Sequence, residues 1–287
     1  MYAITGVTGH VGGATAQELL AKGEQVRAVV RDAAKGEPWS QRGAEVGVAD
    51  VGDPAGLANA FRGCRGAFVL LPANPLASDF DADQLRLVEA ITAAVVDSGV
   101  PHVVLLSAIG ADLAQGNGPI RGLYNLENRL RETRVRLSAI RSFQFQEDVE
   151  QVLEPATQAG IYPVLGEANV PAPRIATRDI GALAAETLLN PPAANEVVDL
   201  AGPEYTHRHI ANALSAALGK PLQVVTIPRP GWVDAMVDGG VPRPFAIELA
   251  EMNDAIQRGV LQPRGDRQHK CLTEIEETLR HIVQATA

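Results

Sequence analysis

The stretch Thr5-Gly6-Val7-Thr8-Gly9-His10-Val11-Gly12-Gly13 decides the reading of this chain. A short β-rich run, Tyr2 to Thr5, leads into it, and a helical pattern, Gly12 to Lys22, leaves it. Glycine in a strand-to-helix turn permits a tight bend and close approach of an anion to the backbone. The helix start adds unpaired N–H groups and a favourable dipole. In that context Gly6, Gly9 and Gly12 point to a dinucleotide diphosphate. Their spacing, G-x-x-G-x-x-G, differs from the G-x-G-x-x-G of many dehydrogenases.

Outward from the turn, short strand-like runs alternate with longer helical patterns, the signature of βαβ units and a parallel sheet covered on both faces. Strands are expected at Tyr2–Thr5, Gln25–Val30, Glu45–Ala49, Ala67–Leu71, His102–Ser107 and Arg136–Ile140, and helices at Gly12–Lys22, Asp53–Phe61, Asp79–Asp97 and Gly122–Thr133. Leu85, Val88, Ile91 and Val95 form an apolar stripe at three- and four-residue steps, as on a helix packed against a sheet. A late run, Val197–Leu200, suits a strand rejoining that sheet. Beyond about Val149 proline and glycine become frequent, in Ala156–Pro173 and Pro228–Pro244, which read as loops of a smaller lobe. Thr177 and Thr206 read as helix N-caps, and Gly219 and Pro221 close the second of these helices after Leu218. The expected fold is α/β, a doubly wound parallel sheet of the Rossmann kind over residues 1–150. A smaller α+β lobe follows over 151–287, with 175–202 returning to the sheet.

In such a sheet the end of the second strand reads the adenosine ribose, and Arg31 stands there. A carboxylate would accept from a 2′-hydroxyl, whereas a guanidinium pairs with a 2′-phosphate, so Arg31 argues for NADP(H). The competing reading is a surface ion pair between Arg31 and its neighbour Asp32; Lys35 is a candidate second phosphate contact. The formal charge of −9, with no offsetting basic block, argues against nucleic acid as a partner. Two distant cysteines, Cys64 and Cys271, fit a reducing compartment better than a disulfide framework. No apolar run is long enough for a bilayer and no leader pattern precedes the glycine turn, so the expected location is the cytoplasm. Nothing in the sequence sets an oligomeric state.

Four segments together carry a resemblance: the glycine turn, Val29-Val30-Arg31-Asp32, Leu105-Leu106-Ser107-Ala108-Ile109-Gly110 and Arg178-Asp179-Ile180-Gly181. With Ala201-Gly202-Pro203-Glu204 and Phe245 to Met252 they make the chain similar, nearly end to end, to the NmrA-like group of atypical short-chain dehydrogenases. The resemblance implies that Val7, Thr8, His10 and Val11 join the glycines in the phosphate loop and that Asp50 and Val51 flank the adenine. It sets Leu70, Leu71, Pro72, Ser107 and Ala108 beside the nicotinamide half, with Phe143 and Phe145 from a segment resembling the family's R-P-x-x-F-x-E-N. Here Ser142 replaces the Pro and Asp148 the Asn.

Carbonyl-reducing short-chain dehydrogenases draw a proton from a Tyr activated by a Lys four residues on. Tyr124 lies on the matching helix, downstream of Ser107, but Asn128 stands where the Lys belongs. Tyr124 and Ser107 are the candidate catalytic groups. Phe145, Trp232, Met236 and Phe245 are candidates to line an acceptor pocket. His207 and His209, two apart on a helix, point to different faces and do not suggest a shared metal; no hydrolase motif is present. The leading reading is an NADPH-dependent oxidoreductase passing hydride to a small acceptor such as a quinone. The alternative is a non-catalytic NADP(H) sensor, which the missing Lys favours. An epimerase or dehydratase is disfavoured because it needs the Tyr base more acutely.

Overall fold

The computed structural model describes residues 1–286. Its strands are β1 (Tyr2–Ile4), β2 (Val26–Val30), β3 (Glu45–Val48), β4 (Gly66–Leu70), β5 (His102–Ala108), β6 (Arg136–Ser142), β7 (Ile161–Leu165), β8 (Ala172–Pro173), β9 (Glu196–Ala201), β10 (Glu204–Tyr205), β11 (Gln223–Ile227) and β12 (Arg267–Lys270). Its helices are α1 (His10–Ala21), α2 (Glu37–Ser40), α3 (Pro54–Phe61), α4 (Phe80–Ser98), α5 (Ile120–Arg131), α6 (Leu153–Ala159), α7 (Thr177–Leu189), α8 (His207–Leu218), α9 (Trp232–Asp238), α10 (Arg243–Gln257) and α11 (Ile275–Thr286).

Eight strands form one sheet in the order β12-β9-β6-β5-β4-β1-β2-β3, and every neighbouring pair is parallel. Because side chains alternate along a strand, Tyr2 and Ile4 enter the core on one face and Ala3 enters the core on the other. The first face buries Leu19 of α1 with Ile180 and Leu183 of α7; the second buries Phe61 of α3, Ile91 of α4 and Leu126 of α5. The sheet is therefore covered on both sides, as in doubly wound folds. A third core, including Tyr162, Val164, Leu214 and Leu279, belongs to the lobe. No helix among the described residues is long and apolar enough to cross a membrane.

The expected strands and helices of the first half are present, their ends shifted by one or two residues, and the late strand is β9, paired with β6. Several expectations are corrected. Leu85 is 49% exposed, and the buried stripe of α4 runs instead through Phe80, Gln84, Leu87, Val88, Ile91 and Val95, with the Gln84 amide donating to the carbonyl of Pro72. The supposed loop Ala156–Pro173 holds the end of α6 and strands β7 and β8. Pro163 is tolerated because β7 belongs to a two-stranded ribbon with β11, where one side of the strand needs no ladder partner. The stretch Pro228–Pro244 likewise contains α9 and the start of α10, with Pro244 in the first turn, where its missing N–H costs nothing. Thr206 caps α8 as expected, its hydroxyl accepting from His209 N. Thr177 does not act as an N-cap: it is the first residue of α7, and the carboxylate of Glu147, distant in sequence, accepts from both its amide and its hydroxyl.

Close packing of α7 on α1 fixes the helix that follows the glycine turn. A Cβ on Gly181 would collide with Ala14 Cβ and come within 2.8 Å of the Thr15 amide nitrogen. Alanine in a helix interior gains about 1 kcal/mol over glycine, but overpacking against backbone costs about 1–3 kcal/mol. Gly181→Ala should therefore lower the urea midpoint at unchanged slope; a midpoint at or above that of the parent chain would contradict this packing.

Candidate cofactor and acceptor site

Strands β1 to β6 present their carboxyl ends along one edge, and β1, flanked by β2 and β4, is the point where the winding reverses. Ligands of open parallel sheets bind outside that point. Gly6 turns the chain there with φ of 64°, a left-handed conformation that suits glycine. Gly9 N donates to Gly6 O at 2.9 Å, closing the turn, and Gly13 N to Gly9 O at 3.0 Å, starting α1. A Cβ on Gly12 would strike the Gly6 carbonyl and lie 2.6 Å from Thr5 O. Gly9, in contrast, has only Gly6 O near a would-be Cβ, at 3.5 Å. Its missing side chain keeps the outer side of the loop open. The amides of His10, Val11 and Gly12 have no carbonyl partner among the described residues, so three N–H groups face the space a diphosphate would fill. Val7 and Val11 are buried in the core and offer only backbone, whereas Thr8 and His10 are exposed. The His10 ring lies 3.1 Å from the Glu150 carboxylate, beyond β6.

Arg31 follows the last residue of β2 and is exposed. Its neighbour is engaged elsewhere: Asp32 Oδ1 accepts from Ala34 N at 3.0 Å and caps the 3₁₀ turn Ala33–Gly36. The surface ion pair between the two does not form, which leaves the guanidinium without a partner among the described residues. Lys35 is exposed on the same turn. At the end of β3, Asp50 accepts from Gly52 N at 2.7 Å, which shapes the turn, and Val51 packs on the second core. These residues could hold the adenosine half of NADP(H).

On the other side of β1, Leu70, Leu71, Pro72, Ala108, Phe143 and Phe145 are all partly buried at the strand ends. Ala108, Phe143 and Phe145 open onto a cavity of about 680 Å³ between the sheet edge and the lobe, whose far wall includes Met252 and Ile256 of α10 and Leu261. Of the proposed pocket residues only Phe145 lines it. Trp232 is buried with its indole N–H donating to Ile227 O, Phe245 stacks on Phe80 at 5.2 Å, and Met236 lies off the cavity wall. Met252 ends the Phe245–Met252 segment that carries part of the resemblance and Ile256 lies beyond it, but nothing in that pattern marks either for a pocket; the three-dimensional path of α10 brings both to the cavity.

Ser107 does not face this cavity. Its buried hydroxyl donates to Glu127 Oε1 of α5 at 2.6 Å. Glu127 also accepts from Arg141 Nε at 2.9 Å and Nη2 at 2.7 Å, and from Arg131 Nη2 at 2.8 Å. Burial opposes the charge on Arg141, but the hydrogen bonds and field of Glu127 outweigh it and raise the guanidinium pKa. This buried fork pins α5 beneath the ends of β5 and β6, and sequence reasoning passed over Glu127 because a glutamate on a helix reads as surface. Tyr124, three residues earlier, is partly exposed and off the cavity wall, and its hydroxyl has no hydrogen-bond partner among the described residues. His207 and His209 do diverge, the first toward Arg174 and the second toward Glu276.

A family model described as the NmrA-like family matches residues 2–278. The chain belongs to the NmrA-like family. It is 28% identical over 257 residues to the NAD(P)H azoreductase of Xenophilus azovorans, covering 88% of this chain and 86% of that one. It is 25% identical to quinone oxidoreductase 2 of Escherichia coli K12, over 98% of both chains. The structure of the Citrobacter sp. triphenylmethane reductase complexed with NADP(H) superposes with a TM-score of 0.79 at 24% identity, over 98% of this chain and 99% of that one. Within the NmrA-like pattern the two departures have distinct settings: Ser142 Oγ is buried without a partner among the described residues, whereas Asp148 accepts from Phe145 N.

The NmrA-like site thus rests on a buried charge. Glu127→Ala would leave Arg141 desolvated and without its hydrogen-bonded carboxylate, with Asp112 at 3.8 Å as the remaining ion-pair partner among the described residues; loss of one partner of a buried pair costs about 3–5 kcal/mol. Denaturant unfolding should show a destabilisation of that order; a loss below about 1 kcal/mol, typical of exposed pairs, would show that the fork is not holding the strand ends.

Proposed function

We propose that this chain is an NADPH-dependent oxidoreductase that passes a hydride to a small conjugated acceptor, such as a quinone, held in the cavity between the sheet edge and the lobe. The observation that carries the reading is one of alignment: three unspent amides, an unpaired Arg31 and an apolar cavity lie along the same carboxyl edge. Relatives named as an azoreductase and a quinone oxidoreductase, and a structural neighbour complexed with NADP(H), support it.

Bound NADPH supplies the hydride, which is the difficult part of the chemistry. The chain contributes position and dryness. Amides of His10, Val11 and Gly12 would hold the diphosphate beside Gly6, Gly9, Val7 and Thr8, and Arg31 would grip the 2′-phosphate. Asp50 and Val51 would border the adenine. Leu70, Leu71 and Pro72 would exclude water from one side of the nicotinamide, and Ala108, Phe143 and Phe145 would close the acceptor side. Ser107 and Tyr124 then serve the scaffold: the first fixes Glu127, and the second lies off the cavity wall with Asn128, not Lys, four residues on. A cavity of this size beside the nicotinamide ends of β5 and β6 favours turnover over a purely sensing role.

Arg31→Glu should weaken NADPH binding roughly tenfold to hundredfold, the worth of a charge-assisted hydrogen bond, and leave NADH binding nearly unchanged. Equal losses for both coenzymes in a titration would remove Arg31 from phosphate recognition. Acceptor-dependent loss of NADPH absorbance across a panel of quinones and azo dyes is the matching activity assay.

A further inference from the structure

A hydride carries two electrons and one proton to its acceptor. A neutral conjugated acceptor is left as an anion, so a second proton must arrive at the atom that collects the charge. The usual source is missing from this fold, since Tyr124 is off the cavity wall, Asn128 replaces the activating Lys and the hydroxyl of Ser107 is spent on Glu127. Among the described residues lining the cavity, only Asp148 and Glu204 carry a carboxyl group. Glu204 is exposed on β10, whereas Asp148 sits next to Phe145 in the 3₁₀ turn Gln146–Val152 that follows β6, with its side chain only 36% exposed.

The two carboxyl oxygens of Asp148 are in different situations. Oδ2 accepts from Phe145 N at 3.0 Å and has Arg174 Nη1 at 3.9 Å, too far for a hydrogen bond. Oδ1 has no partner among the described residues. A carboxyl anchored through one oxygen leaves the other as the place for a proton. The family pattern has Asn here, which can anchor in the same way but holds no transferable proton.

We propose that Asp148 is the proton donor of this site, its free Oδ1 delivering a proton to the acceptor atom on which negative charge collects as the hydride arrives. The inference rests on the reductase reading above. For an azoarene, hydride from NADPH forms one N–H bond, the N=N π pair moves to the second nitrogen, and the proton of Asp148 forms the second N–H bond there. The products are the hydrazo compound, NADP⁺ and the Asp148 carboxylate, which solvent reprotonates through the cavity mouth. Arg174, 6% exposed and close by, steadies that carboxylate.

The surrounding charges agree with this role. Burial raises the Asp148 pKa above the ordinary carboxylate value; Arg174, the Phe145 amide and His10 pull it down, and Glu147 pushes it up. Two other titratable groups lie close to Arg174. Burial and Arg174 push His207 of α8 down to about 4. Burial pushes the phenol of Tyr162, on β7, up to about 12. A proton donor acts in its protonated form, so activity should fall as pH rises through the Asp148 pKa.

The test pairs two acceptors with the intact chain and NADPH: a neutral azoarene, which needs a proton, and a triarylmethyl cation, which hydride alone converts to a neutral product. Asp148→Asn keeps the anchor to Phe145 N. It should lower kcat for the azoarene about a hundredfold or more and flatten its pH profile, while kcat for the cation stays within about twofold. Retained azoarene turnover with an unchanged pH profile would overturn the proposal. So would equal loss with both acceptors, which would mark Asp148 as merely structural. Failure of the parent chain to oxidise NADPH with either acceptor would instead overturn the reductase reading, and this proposal with it.

Discussion

The whole arrangement depends on how closely the start of α1 approaches the turn after β1. Thr5 O and Gly6 O occupy the space that a side chain on residue 12 would need, and Gly6 makes the turn in a left-handed conformation. The amides of His10, Val11 and Gly12 at the start of α1 are then left with no carbonyl partner among the described residues. An unpaired helix N-terminus is costly unless water or an anion meets it, and Gly9 leaves room for either. From the second face of α1, Gly181 lets α7 press on Ala14 and Thr15, so the turn is held by packing as well as by its own hydrogen bonds.

The acceptor half is held by polar contacts of long sequence range. Glu127, Arg141 and Ser107 lock α5 to β5 and β6. Past β6, Gln146 donates to the carbonyl of Thr273 and accepts from Thr278, and Glu147 caps α7. Asp179 of α7 accepts from the amides of Leu272 and Thr273 and from the Thr273 hydroxyl. These bonds tie the lobe to the sheet next to Phe143 and Phe145. The cavity wall is also continuous with the core, since Phe143 packs against two of its clusters and Phe145 against one.

Much of this was legible in the amino-acid order because local signals and global fold agree. Alternation of buried apolar runs with helical stripes specifies a parallel sheet, and a glycine turn between strand and helix specifies its ligand edge. What escaped reading depends on contacts between distant segments. Strand β12, Arg-Gln-His-Lys, is polar and largely exposed, so no pattern marks it; it is a strand because the edge of β9 offers unpaired backbone. Thr177 has the chemistry of a cap, but Glu147 arrives from another part of the chain and does the work. Ser107 sits at the expected strand end, yet its orientation is decided by Glu127, a residue whose burial follows from the partners it meets rather than from its type. Aromatic composition likewise suggested Trp232 and Phe245 for the cavity, whereas the path of α10 brings Met252 and Ile256 instead.

Calorimetric titration of the purified chain with NADPH tests the account at its root. Saturable heat at one equivalent per chain is expected on the proposed reading, in which the amides at the start of α1 and the guanidinium of Arg31, without partners among the described residues, receive the phosphate groups. The absence of heat with NADPH, confirmed by unchanged thermal stability at high coenzyme concentration, would contradict it.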